Sequence, residues 1–168
     1  SAFTYRNLRV EGAAFTDPAA VEAALGTARG ENLFALRTRP LARKLAALPT
    51  VRSVTVSVQL PDTLVVNVRE REAIMIWRVG ARRYLADATG NLFGRLGDEP
   101  APAAAALPVV EDRRAASAGL SIGRRLDPVD VDAATRLASL VPSDVGSEAA
   151  GLVVQVTDAS GFVVRSRP

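Results

Sequence analysis

The chain contains no cysteine and no histidine. Without thiols it forms no disulfide, holds no thiolate-bound metal and offers no thiol nucleophile, though this absence does not by itself indicate a compartment. Without imidazole it lacks the usual general base of a hydrolytic triad. Lysine occurs once, at Lys44, so the positive charge is almost wholly arginine. The net charge is only +3, and the basic pairs Arg82 with Arg83, Arg113 with Arg114, and Arg124 with Arg125 are scattered. Nucleic-acid binding needs clustered cations interleaved with exposed aromatics, so that class is set aside. No apolar run approaches the roughly 20 residues that span a bilayer, and no signal peptide is visible. What is present is 168 residues with 48% hydrophobic content, enough to build one large core or two small ones. The first residue is Ser1 and not Met, so the chain is expected to be a piece of a longer protein.

The clearest pattern runs from Val51 to Glu72 and reads as strand, turn and strand. Val54, Val56, Val58 and Leu60 alternate with Ser53, Thr55, Ser57 and Gln59, which places the apolar set on one face and leaves the other wet. Pro61 and Asp62 make the turn. Leu64, Val66 and Val68 then alternate with Val65, Asn67 and Arg69. Burying each apolar side chain of the first limb is worth roughly 1.5 to 3 kcal/mol, but a lone hairpin has nothing to bury them against. The cover is expected upstream. Asn7 to Gly12 alternates as a short strand, and Asp17 followed by Pro18 starts a helix whose stripe is Val21, Ala24 and Leu25, with Gly26 as its stop. Phe34 is expected to plug the core. A second helix is expected from Pro40 to Leu48, with Leu41, Leu45 and Leu48 on one face. Two such helices cover one face of a three-stranded sheet.

Downstream, Ile74 to Val79 reads as a strand carrying Trp77, and Arg82 to Asp87 as another carrying Tyr84, both aromatics expected in the core. Asp87 to Asn91 is a turn, Gly97 to Ala106 a loop rich in proline and alanine, and Asp127 to Val141 a helix with Leu137, Leu140 and Val141 apolar. Leu152, Val154 and Val156 alternate into a hairpin with Phe162 to Arg165. Three stretches suggest chemistry. Gly119-Leu120-Ser121-Ile122-Gly123 matches the spacing of a serine-hydrolase elbow, but its base is missing, and only a pairing of Ser121 with Lys44 would remain. Asp127, Asp130 and Asp132 lack the glycine and distal glutamate of a calcium loop, which points to helix capping. Arg69-Glu70-Arg71-Glu72 is either a solvated strand end or an interdomain clamp.

The run from Leu45 to Val56, then Leu60-Pro61-Asp62-Thr63-Leu64 and Glu70-Arg71-Glu72, resembles a POTRA domain, and more narrowly that of the bacterial division protein family FtsQ, called DivIB in Gram-positive bacteria. The continuation fits that family through Trp77, Tyr84, Asp87, Gly90 and Phe93, with Leu107 and Pro108 after the loop; Ala73 stands where proline is usual. The resemblance implies an α+β protein. Residues 2–69 would form the POTRA domain, in the order strand, helix, helix, strand, strand, and residues 70–168 a mostly β domain with one helix, C-terminally incomplete. It implies a non-enzymatic scaffold without cofactor or metal, hung from the inner membrane by a helix outside this chain and facing the extracytoplasmic side. Its implied partners are FtsB, FtsL, FtsK, FtsW and FtsI. In a POTRA arrangement the strand from Arg52 to Leu60 pairs on one side only, and an open edge accepts a partner's strand. The candidate binding residues are therefore Ser53, Thr55, Ser57 and Gln59, and on the terminal hairpin Phe162 and Val164. The alternative reading is a periplasmic POTRA that guides substrates of an outer-membrane assembly or secretion system.

Overall fold

A computed structural model describes residues 2–167. The chain divides into two compact units, Ser1–Arg71 and Glu72–Pro168. The first holds β1 (Asn7–Glu11), α1 (Pro18–Leu25), α2 (Thr38–Ala46), β2 (Val51–Gln59) and β3 (Thr63–Glu70). Its sheet order is β1-β3-β2, with β1 parallel and β2 antiparallel to the central β3. The register stacks Leu8, Leu64 and Val58 in one row and Val10, Val66 and Val56 in the next. Those rows pack with Val21 and Leu25 of α1 and Leu41 and Leu45 of α2. Asp17 caps α1 by accepting the Ala19 N–H at 2.9 Å, which satisfies a backbone donor the first helical turn leaves free.

Two expectations fail in this unit. Leu60 is 51% exposed, because the strand ends at Gln59 and Leu60 belongs to the turn. Phe34 is 69% exposed, and Leu33 is the side chain of that connector that enters the core.

The second unit holds β4 (Met75–Val79), β5 (Arg82–Ala86), β6 (Leu92–Leu96), β7 (Val109–Asp112), α3 (Pro128–Ala138), β8 (Gly151–Thr157) and β9 (Gly161–Arg167). Its strands run β6-β5-β4-β7-β8-β9. β7, whose four residues show no alternation that marks a strand in the sequence, lies inside the sheet, parallel to β4 on one side and to β8 on the other. Trp77, Tyr84, Val110, Val154 and Val156 pack with Val131 and Ala134 of α3. Asp127 caps α3 through the Val129 N–H at 2.8 Å. The helix ends at Ala138, and Val141 stands 51% exposed beyond it, a second place where apolar periodicity overran the element.

Asp112, at the end of β7, is buried and accepts from Trp77 Nε1 at 3.0 Å, Ser117 Oγ at 2.6 Å and Arg114 Nη2 at 2.9 Å. Arg114 reaches on to Asp130 of α3 at 2.8 Å. Burial alone would raise the Asp112 carboxyl pKa, but the hydrogen bonds from Arg114 and Ser117 and the guanidinium charge outweigh it and hold it below the usual range. The same contacts raise Arg114, led by its bond to Asp112. Asp112 thus joins Trp77, Arg114 and Ser117, and Arg114 carries the link on to α3 through Asp130.

Candidate partner-binding edges

β2 and β9 each have one neighbour and close one border of their sheets. Which of their residues present backbone groups outward follows from register. Along a strand the N–H and C=O of one residue point to one side and those of the next to the other. The Asp62 carbonyl accepts the Asn7 N–H at 3.1 Å, so it points toward β1. Thr63, Val65, Asn67 and Arg69 therefore point their backbone groups toward β2. Their register partners there are Gln59, Ser57, Thr55 and Ser53. Those four residues spend their N–H and C=O inside the sheet, and the groups left open at the border belong to Val54, Val56 and Val58.

The same reasoning applied to β9 gives the opposite assignment. Arg113 donates its N–H to the Val156 carbonyl at 2.8 Å, so Val156 points toward β7 and Gln155 toward β9. Gln155 pairs with Val163, and Val153 with Arg165. The outward groups of β9 are then those of Phe162, Val164 and Ser166. Phe162 packs its half-buried side chain against the core and Val164 is half-buried, while the backbone of both faces the border.

The side chains of Ser53, Thr55, Ser57 and Gln59 are exposed on the face away from the helices. On that face Val65 of β3 is nonetheless buried, between Arg9 of β1 and Ser57 in the register. A shallow depression there is lined by Ser53, Thr55, Asn67 and Arg69. Both borders carry side chains that discourage indiscriminate pairing, Arg52 on β2 and Arg165 and Arg167 on β9. The roles of Val54, Val56 and Val58 were not accessible to sequence reasoning. Hydropathy finds the faces of a strand, whereas the open backbone groups depend on where β1 lands beside β3.

The remaining candidates resolve into structural roles. Glu70 accepts N–H bonds from Ala14 and from Phe15, the latter at 2.8 Å, and a hydroxyl bond from Thr16 at 3.1 Å, so it fastens the loop between β1 and α1 within its own unit. Asp127 is a cap, Asp130 pairs with Arg114, and Asp132 pairs with Arg136 one turn on. Ser121 is exposed in a turn, and Lys44 donates to Thr27 at 3.1 Å. Among the described residues no group of three or more acidic, histidine or cysteine side chains is placed to hold a metal ion. No helix among them is long and apolar enough to cross a membrane.

Residues 3–71 match the model of the POTRA domain of FtsQ type. A protein of Corynebacterium glutamicum named cell division protein FtsQ is 36% identical over 85 residues, covering 51% of this chain and 38% of that protein. The protein of the same name from Chloroflexus aurantiacus is 29% identical over 150 residues, covering 87% of this chain and 52% of that one. The Rhizobium meliloti protein is 33% identical over 96 residues, covering 57% of this chain and 31% of its own length. These alignments span between about a third and about half of the length of the relatives.

Proposed function

The chain is an FtsQ-type protein with its POTRA domain at residues 3–71, and on that premise we propose that it is a non-enzymatic scaffold of bacterial cell division that takes up partner strands at β2 and β9. The observation that carries this reading is the pair of one-sided border strands with their outward backbone groups on Val54, Val56 and Val58, and on Phe162 and Val164. An extended partner segment would bond to those groups. The exposed hydroxyl and amide side chains of Ser53, Thr55, Ser57 and Gln59 would select among segments along the adjoining face. The partners proposed are the division proteins FtsB, FtsL and FtsK, with FtsW and FtsI recruited through the same assembly. The work is placed on the extracytoplasmic side of the cytoplasmic membrane.

The test is a pull-down of the extracytoplasmic segments of FtsB, FtsL and FtsK by the intact chain and by two variants. Val56→Pro removes an outward donor of β2 and Val164→Pro one of β9, each without deleting a bond to the strand's own neighbour. For the segment that uses a given edge, capture is expected to fall about tenfold or more with the matching variant, as a lost bond and a clashing ring together cost more than about 1.4 kcal/mol. Capture of all segments at unchanged affinity by both variants overturns strand addition.

A further inference from the structure

Phe3 and Phe34 form an aromatic pair at the surface of the first unit, with ring centroids 5.0 Å apart and planes at 69°. Phe3 is 39% exposed and Phe34 69%. The pair rests on an ordered base. The Leu33 N–H donates to the Phe3 carbonyl at 2.8 Å and the Tyr5 N–H to the Glu31 carbonyl at 2.9 Å, while Thr4 and Asn32 form an antiparallel bridge. The Asn32 side chain accepts the Phe34 N–H at 2.9 Å. Leu33 and Tyr5 are buried below, so the rings are carried by a fastened turn. With more than two thirds of its surface in water, Phe34 stands out from the molecule.

The charged side chains within the segments that carry the rings are mostly of one sign. Arg6, Arg29 and Arg37 are exposed in the two segments that carry the rings, and Arg39 is exposed at the start of α2. Arg29 lies against the Arg6 carbonyl at 3.5 Å. Arg37 and Lys44 line one cleft with Leu36, Pro40 and the acid Glu31. Among the described residues no acid forms an ion pair with Arg6, Arg37 or Arg39. Glu31 is the one acid in the loop from Arg29 to Arg37. Protruding aromatic rings flanked by free guanidinium groups match the bilayer interface, where rings settle at headgroup depth and cations meet lipid phosphates.

We propose that Phe3 and Phe34, with Arg6, Arg37 and Arg39, form a patch that seats the first unit on an anionic phospholipid surface. None of these residues lies on β2 or β9, so the patch and strand addition stand or fall separately. The patch is small and its binding reversible, since one shallow insertion holds far less firmly than a spanning helix.

The test is sedimentation of the intact chain with excess vesicles of phosphatidylcholine, alone or with about one third phosphatidylglycerol. Binding to the anionic vesicles is expected, at least about tenfold weaker binding to the neutral ones, and loss of binding above about 0.3 M salt as the charges are screened. The double variant Phe3→Ser with Phe34→Ser should lose about tenfold or more on anionic vesicles. Arg37→Glu with Arg39→Glu should erase the anionic preference. Both should keep the thermal midpoint and the division-protein pull-down of the parent. Absence of binding, equal binding to the two vesicle types, or parental binding by the phenylalanine variant overturns the proposal. So does a dimer in sedimentation equilibrium that disappears with the same variant, because the rings would then be covered by a second copy.

Discussion

At the scale of single residues, Asp112 shows how a buried charge is held. Its side chain has no exposed surface, and its oxygens receive the Trp77 indole, the Ser117 hydroxyl and the Arg114 guanidinium. Asp112→Ala leaves Arg114 without its main partner and the Trp77 N–H with none. We expect a loss of about 3–5 kcal/mol in urea unfolding of the second unit. Trp77→Phe removes a single charge-assisted bond and some packing, for about 1.5–3 kcal/mol. The lowered pKa of Asp112 fixes a pH dependence. Its stabilising contribution is fully present above the unfolded value, about 3.9, and is lost as pH falls through the lower folded value. Asp112→Asn should therefore flatten the acid limb of the stability curve, and an unchanged limb would assign acid unfolding to other carboxylates. Trp77, Tyr84, Asp87 and Gly90 were visible in the sequence as a family pattern without a cause. The structure supplies one: Trp77 binds Asp112, Tyr84 donates to the Leu120 carbonyl at 2.9 Å, and Asp87 accepts from Thr89 and Asn91 in a turn that Gly90 completes at φ +81. The acid in this network went unrecognised because an aspartate followed by two arginines reads as surface.

At the scale of elements, β2 makes a sharp prediction about proline. Ser57 turns its N–H toward β3, so Ser57→Pro deletes a bond inside the sheet and should destabilise the first unit by about 3 kcal/mol or more. Val56→Pro, one residue away, should cost markedly less, chiefly side-chain packing. Circular dichroism melts of the two variants check the order, and the reverse order would invert the assignment of the border. Gly12 follows β1 at φ +82, where a Cβ would collide with the Val68 carbonyl oxygen. Gly12→Ala is therefore expected to lose more than about 1 kcal/mol by thermal melt. The helices and hairpins were legible because their apolar periods run for two or more turns or for several alternations. β7 was not. It has four residues, Val-Val-Glu-Asp, too few for a period, and its last side chain is buried for polar reasons. Phe34 misled for the opposite cause, since hydrophobicity says nothing about which of two neighbouring apolar side chains, Leu33 or Phe34, a tight connector turns inward.

At the scale of the whole molecule, the chain is two compact units with separate apolar cores. The first, at 71 residues, lies in the range where an isolated domain is marginal yet folds. Residues 1–71 alone should melt cooperatively with the same response to Gly12→Ala as in the full chain, and a non-cooperative melt would refute that independence. The sole tryptophan belongs to the other unit. Its indole is sequestered and leans on a carboxylate, so its emission should redden when that unit opens and stay silent when only the first does. The protein thus carries a built-in optical label for one half of itself, and comparing its trace with the far-ultraviolet signal of the whole backbone would reveal, without any dye, whether the halves come apart together or in turn.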